Sequence, residues 1–542
     1  MLSGETANGA FPDVAVATMA KICRSAEMGV NVYQTFDYVR TFTLHPVQAI
    51  EAVCCALAKN AVDIRPGMII IFSENGKTPR LLAKYRPPCP VLVVTSKESL
   101  AKHCSAYYSM HPMLLTSPIK NVEELPKLLE RALKHGVDSG LCSAGKEVVV
   151  LSSTNVAGGT VSAAGTDPGD ALLQREMFVT LAPGALDLEA LGALAPMSSA
   201  QDPKLSAKTI TYRSTVIDYD MIVGDRAPPR KTKIAVTIGP ASRSPAMLEQ
   251  LVDAGMDMAR FKFSHATPST HADTISALRK ICADKGRHVA TIMDLQGPEI
   301  RTSYLINRDT KERVSKIELK AGDLMSLYGT NDLSEDSFVG YRVEGEGIRL
   351  GVDLPDLDQV VKPGQQVHLQ DGAILVDITE VEAGKYVHGV VRNGGSLGER
   401  KVVHIAGLTV HSKHSSMQDM ADIQNFAVEY KVDYVAASQV HARSDIESLR
   451  NFLDDCGADT VRIIAKIESV QGLRNFEDIL EVADGIMLAR GALGLAIPAE
   501  KVALAQAKLT TMCKVAGKPL IVARHMLETM VSNPRPTRAE MT

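Results

Sequence analysis

No two cysteines of this chain are spaced as CxxC; the nine Cys are scattered. Neither a zinc ribbon nor a disulfide framework is indicated, and the reduced thiols of a cytosolic protein are expected. An excess of positive charge is missing as well. Lys plus Arg number 59 against 63 for Asp plus Glu, a net charge of -4, which leaves no broad basic surface for nucleic acid, so any anion site must be local. No apolar run approaches the roughly 20 residues of a membrane span. The opening MLSGETANGA has neither the basic region nor the apolar run of a signal peptide. A soluble, cytoplasmic protein without nucleic-acid or membrane partners is expected.

What is present points to a multidomain enzyme-sized protein. At 542 residues the chain exceeds one hydrophobic core, and its 45% apolar and 23% charged residues are ordinary for globular proteins. From Thr232, short apolar runs alternate with amphipathic stretches: TKIAVTIG, SPAMLEQLVDAG, MDMARFKFS, THADTISALRKICADKG, HVATIMDLQ. This is the rhythm of parallel βα units. It breaks near Ser303 into about a hundred Gly- and Val-rich residues that read as short strands and turns, an inserted β domain. It then resumes through VDYVAAS, VRIIAKIE, GIMLARG and PLIVARHM. Seven strands between Thr232 and Met526 suggest a (β/α)8 barrel short by one strand, with a doubly wound sheet as the competing architecture. A second αβ set, with MIIIFSENGKT, VLVVTS, EVVVLSS and EMFVTLAPG, forms a separate α/β domain, and a Pro-, Ser- and Gly-containing linker follows.

The segments TKIAVTIGPASRS, DMARFKFSHAT, MDLQGPEIRT, NGGSLGERK, IIAKIESVQG, DGIMLARGALG and AGKPLIVARHMLETMVSNPRPTRAE resemble, in order and spacing, the first two thirds of pyruvate kinase. The stretch from MLSGETANGAFP through FSENGKTPRLLAKYRPPCPVLVVT is similar to the last third of that family. The halves therefore stand in reversed order. The resemblance implies an α/β fold: a (β/α)8 TIM barrel with an inserted small β-barrel lid and a separate α/β domain, permuted, lacking one barrel helix and most of one strand. The expected domains are 1–30 (eighth strand end and last helix), 31–184 (α/β domain), 185–230 (linker), 231–302 (barrel, first part), 303–400 (lid) and 401–542 (barrel, second part). A true permutation and a segment cut across two tandem units both give this pattern. Ends that read as truncated favour the second, with a homo-oligomeric partner or fused unit supplying the lost elements.

In that family a phosphoryl group passes from phosphoenolpyruvate to ADP, giving pyruvate and ATP, with Mg2+ (or Mn2+) and K+ as cofactors. Such chemistry rests on positioning and charge neutralisation. Barrel sites gather at C-terminal strand ends. There, Arg260, Lys262 and Ser264 share one face of the second strand while Phe261 and Phe263 share the other, and a packed parallel strand has no wet face for a charge. By resemblance, Arg260 contacts the transferring phosphate. Asp294, Ser264 and the carbonyl of Leu295 correspond to monovalent-cation ligands. Lys466 stabilises charge on the phosphoryl and enolate oxygens, and Glu468 is one carboxylate of the divalent-metal pair. A purely structural Lys466–Glu468 salt bridge is the alternative.

The departures from the family pattern matter as much. Lys262 stands where the family has Asn, so its ammonium would take the place of K+, unless it is merely tolerated by a dead site. Ala492, in the run Arg490, Gly491, Ala492, replaces the second metal carboxylate and offers no side-chain oxygen. Arg524 and His525 replace Thr and Gln beside the substrate, with Gly491 and Arg524 as expected substrate-binding positions. The pocket thus gains about three positive charges, or one fewer if Gln296 replaces a pocket Lys. Impaired or lost phosphoryl transfer is expected. The alternatives are fixed cations replacing the metal, or an anion-binding scaffold on a retained fold.

In the α/β domain, Ser73, Asn75, Gly76, Lys77 and Thr78 follow a strand and open a helix, where backbone N–H groups suit a phosphate. The family places a sugar-phosphate effector loop here, although Glu74 is an unwelcome anion. An ordinary strand-to-helix turn is the other reading.

Overall fold

Seven short parallel strands, each apolar on both faces, form the largest unit of the chain in the computed structural model. They are Ala235–Ile238, Met258–Lys262, Ala290–Asp294, Tyr434–Ala437, Arg462–Ile467, Gly485–Ala489 and Leu520–Ala523, neighbours in that order. The structure describes residues 1–118, 124–151, 176–177, 222–224, 228–264, 266–370, 372–405 and 417–542. Apart from 222–224 and 228–230, the expected linker lies outside the described residues.

Strand alternation sorts the apolar side chains into two cores. Ala235, Met258, Ala290, Ile292, Tyr434, Ala436, Ile464, Met487 and Ala523 fill the interior. Val236, Ala259, Phe261, Met293, Val435, Ile463 and Leu488 face the surrounding helices. Two packed faces are what a helix-covered parallel barrel requires and explain why these strands read as continuous apolar runs. The helices carry the expected local signals. Pro245–Ala254 begins after Ser244, whose hydroxyl accepts from Met247 N at 3.3 Å, has Pro at its start, and ends at Gly255 with φ of 110°.

The ring between the seventh and first strands is bridged by the chain's first residues. The Met1 ammonium donates to Val522 O at 2.8 Å. Leu2 pairs in parallel with Val236, through Leu2 N to Ala235 O and Thr237 N to Leu2 O, both 3.0 Å. The short helix Gly4–Ala7 and the helix Pro12–Met28 follow. The latter buries Ala15, Val16, Met19 and Ala20 in the outer barrel core beside Leu248 and Leu251. The sheet is therefore curved into a nearly closed barrel, and the doubly wound alternative is set aside.

Between the third and fourth barrel strands lies the lid, an eight-stranded, mainly antiparallel sheet from Tyr304–Leu305 to Val403–Ile405. Its strands alternate in burial, as Tyr386–Val391 does, because one face packs on a core of Leu327, Leu350, Val367, Leu369 and Val376. The last strand runs to Ile405, beyond the expected boundary at 400.

The α/β domain holds a five-stranded sheet in the order Met110–Leu114, Val91–Thr95, Met68–Phe72, Val148–Leu151, Glu176–Met177. The strand Met110–Leu114 has no counterpart in the sequence reading. The domain docks at the N-terminal ends of barrel strands, where Arg462 donates to His103 Nδ1 at 3.1 Å and Tyr434 Oη donates to His103 O at 3.3 Å. That is the end of the barrel opposite its mouth. Among the described residues no helix is long and apolar enough to cross a membrane.

Candidate active site

A row of alternating charges runs across the barrel interior near the C-terminal strand ends. On the second strand Arg260 points inward, while Phe261 and Phe263 turn outward and meet His271 and Phe426 edge to face, at ring separations of 5.6 and 4.9 Å. Arg260 donates through Nε to Asp294 Oδ2 at 2.6 Å and through Nη2 to the same oxygen. Its Nη1 reaches Thr237 at 3.0 Å and Ser3 at 3.3 Å. Lys466 Nζ donates to the other oxygen of Asp294 at 3.1 Å and to Ser438 Oγ at 2.6 Å, and stands 3.5 Å from Glu468 Oε1. Gln439 N donates to Glu468 Oε2 at 2.8 Å.

Asp294, Arg260 and Lys466 are 0%, 3% and 5% exposed, so these charges interact with little screening. Burial alone would raise the Asp294 pKa, but Arg260, Lys466 and Lys262 hold it down to about 2. Burial likewise opposes the charge on Lys466, and the Asp294 and Glu468 carboxylates overcome it and raise its pKa.

Above this row opens a cleft of about 570 Å3 between barrel and lid, with Lys262, Glu299, Lys466, Glu468, Ala492 and Arg524 on its walls. Burial pushes the Lys262 ammonium down to about 8, with Glu299 opposing and Arg524 and Arg260 assisting. Arg524 and His525 both take positive φ, 67° and 51°, a costly conformation for long side chains and one that clusters at functional sites. Arg490 holds them there, its Nη2 donating to both of their carbonyls. Gly491 lies beneath: a Cβ at that position would come 3.2 Å from Arg524 Cδ.

The structure thus brings Arg260, Asp294, Lys466 and Glu468 into one network, with Lys262 and Arg524 facing the adjacent cleft. Ser264 Oγ is buried without a hydrogen-bond partner among the described residues. Leu295 O accepts from Ser438 Oγ at 2.8 Å. Sequence reading missed Glu299, although it stands inside the quoted MDLQGPEIRT. It also missed Ser3, Thr237, Ser438 and Gln439; Ser3 reaches Arg260 only once the ring closes, and the other three come from neighbouring strands or their ends. The loop 296–297 is fixed from outside: Asp419 accepts from Gln296 N at 3.0 Å and from Gly297 N at 3.1 Å.

The chain matches the family described as "Pyruvate kinase, barrel domain" over residues 229–542 and "Pyruvate kinase, alpha/beta domain" over residues 51–164. It belongs to the pyruvate kinase family. It is 40% identical over 312 residues to pyruvate kinase of Sporosarcina psychrophila, covering 57% of this chain and 50% of that protein. It is also 40% identical over 313 residues to pyruvate kinase of Dictyostelium discoideum, 58% of each. Identity to pyruvate kinase PKLR of Homo sapiens is 39% over 346 residues, 63% of this chain and 57% of that protein. The matched stretch spans between 50% and 58% of these relatives' own lengths.

Pyruvate kinases in general depend on Mg2+ and K+, and the donor set here fits neither well. Among the described residues no three His, Cys, Asp or Glu side chains group around a point. Glu468 is engaged by Lys466 and Gln439, and residue 492 brings a methyl group to the cleft wall. Mg2+ demands near-octahedral oxygen ligation. On the monovalent side, Ser264 Oγ is an open oxygen, but Lys262 carries an ammonium toward Asp294.

In the α/β domain, Lys77–Lys84 is a helix whose N-cap, Gly76, has φ of 75°. Glu74 lines the same cavity as the loop and accepts from Ser96 N and Ser96 Oγ, both at 2.8 Å. Asn75 caps Lys77 N at 3.1 Å, Thr78 is buried, and Ser73 Oγ is buried without a partner among the described residues. Asn75, Gly76 and Lys77 line a cavity of about 700 Å3 shared with Arg80, Arg450 and Arg462 of the barrel side and helix.

Proposed function

We propose that this chain binds phosphoenolpyruvate in the barrel–lid cleft and transfers its phosphoryl group to ADP poorly or not at all. The reading rests on the cationic row of Lys262, Lys466 and Arg524 facing a wall where residue 492 has no side-chain oxygen. In the transfer, the enol oxygen–phosphorus bond breaks, a bond to the terminal ADP oxygen forms, and the enolate takes up a proton to give pyruvate. Arg260, fixed by Asp294, positions the cation row. Lys466 neutralises charge developing on phosphoryl and enolate oxygens, and Lys262 and Arg524 bind the anion. Ground-state binding of the anion survives. Stabilisation specific to the transition state, which a bridging divalent ion would supply in this family, is what the donor set lacks.

A second reading, that Lys262 and Arg524 themselves replace the metal ions, is favoured by their place on the cleft wall. A lactate dehydrogenase-coupled assay with and without Mg2+ and K+ separates the two. The expected result is little phosphoenolpyruvate-dependent ATP formation under any condition. Full turnover that is indifferent to both ions would favour the fixed cations, and full ion-dependent turnover would remove the impaired reading. The order of the matched regions, with the α/β domain before the barrel, supports a permuted arrangement, as does the seating of Met1–Ser3 between the first and seventh strands.

A further inference from the structure

The lid strand Gln366–Leu369 pairs antiparallel with Val403–Ile405 in the register Val367 to Ile405, His368 to His404 and Leu369 to Val403. Directly opposed residues share a face and place their Cβ atoms about 4.5–5.5 Å apart. Val367, Leu369, Val403 and Ile405 belong to the lid core. The two histidines therefore stand together on the other face, and His404 lines the barrel–lid cleft. His368 Nδ1 is buried with no hydrogen-bond partner among the described residues, an unusual state for a ring nitrogen that is a good ligand.

We propose that His368 and His404 form a two-imidazole site for a borderline transition-metal ion of the Zn2+, Ni2+ and Cu2+ class on the lid wall of the cleft. Imidazole nitrogens suit these ions, and two metal–nitrogen bonds of about 2.0–2.1 Å are within reach of rings on opposed residues. Burial, and then the neighbouring His404, lowers the His368 pKa and keeps its ring neutral, the form that coordinates. Among the described residues no third His, Cys, Asp or Glu joins the pair, so the remaining positions fall to water or to an oxygen of an anion in the cleft. A bound ion would tie the edge strand of the lid to its neighbour beside the cleft mouth. The inference rests on strand register and does not depend on phosphoryl transfer.

The test is titration with Ni2+, followed by competition against a chromophoric chelator, of the full chain and of His368→Gln and His404→Gln. Twelve other histidines of the 14 remain as background. The expected result is one Ni2+ site in the parent, weakened about tenfold or more by either substitution, with Mg2+ failing to compete. As a second measurement, Ni2+ should protect His368 and His404 of the parent together from carbethoxylation read by mass spectrometry. Isotherms unchanged by both substitutions, or no protection of these two residues, would overturn the site.

Discussion

Removing the carboxylate of Asp294 is the most direct way to test the buried charge row. Asp294→Ala leaves Arg260 and Lys466, 3% and 5% exposed, without the group that joins them at 2.6 and 3.1 Å. Breaking a buried ion pair by deleting one partner costs about 3–5 kcal/mol, because the remaining charge is desolvated and uncompensated. A separate route gives the part that is electrostatic. The folded Asp294 has a pKa of about 2 against 3.8 for the free side chain, worth on the order of 2–3 kcal/mol at neutral pH. Because the folded value is the lower one, this stabilisation is present above about pH 4 and is lost as pH falls toward 2. Urea denaturation of parent and variant at pH 7 and at steps down to pH 3 measures both. The expected outcome is a deficit of several kcal/mol at pH 7 that narrows on acidification. A deficit below about 1 kcal/mol, or one independent of pH, would refute the claim that Asp294 is the keystone of the row.

Two further outcomes follow from the cleft. Ala492→Asp should raise Mn2+ affinity by about tenfold or more, since Glu468 gains a second hard-oxygen donor; equal Mn2+ titrations of parent and variant would clear Ala492 of responsibility. Lys262, held at about 8 chiefly by burial, is charged at pH 7 and neutral at pH 9. Sulfate, which does not titrate there, should therefore bind the parent about tenfold more weakly at pH 9, and Lys262→Met should abolish that dependence in calorimetry.

The barrel was legible because a parallel strand covered on both faces writes a mostly apolar run, broken in these seven by a few polar residues such as Arg260, Asp294 and Lys466. Arg260 was legible for the same reason, since a charge in such a run has no solvated face to occupy, whereas Lys466 and Glu468 were singled out by resemblance to the family. Met110–Leu114 was not, because it carries His111 and Pro112. Proline forfeits a ladder donor and so appears at sheet edges, and this strand is the edge of its sheet. The partners Ser3 and Thr237 of Arg260 were illegible for a different reason: they lie 257 and 23 residues from it, and only a closed ring brings both to one guanidinium. Glu299 was present in a quoted motif but carried no periodicity, since it sits in the irregular connection after the third strand, where pattern reading has no purchase.

The bridge from Met1 to Val522 spans 521 residues, and that separation bears on how the molecule assembles. Closing a flexible loop of this length costs on the order of 2–3 kcal/mol more than closing one βα unit of about 30 residues. The strand pairs from Ala235 to Ala523, each local to its neighbour, therefore gain their contacts before the ring is sealed. Sealing comes when Met1 to Glu5 meets the seventh strand and the segment after it, with Glu5 then accepting from Leu527 N at 3.0 Å. The Ser3 contact to Arg260 belongs to the same seam, whereas Thr237 reaches Arg260 from the neighbouring strand, so the guanidinium gains one of its partners only when the ring is sealed.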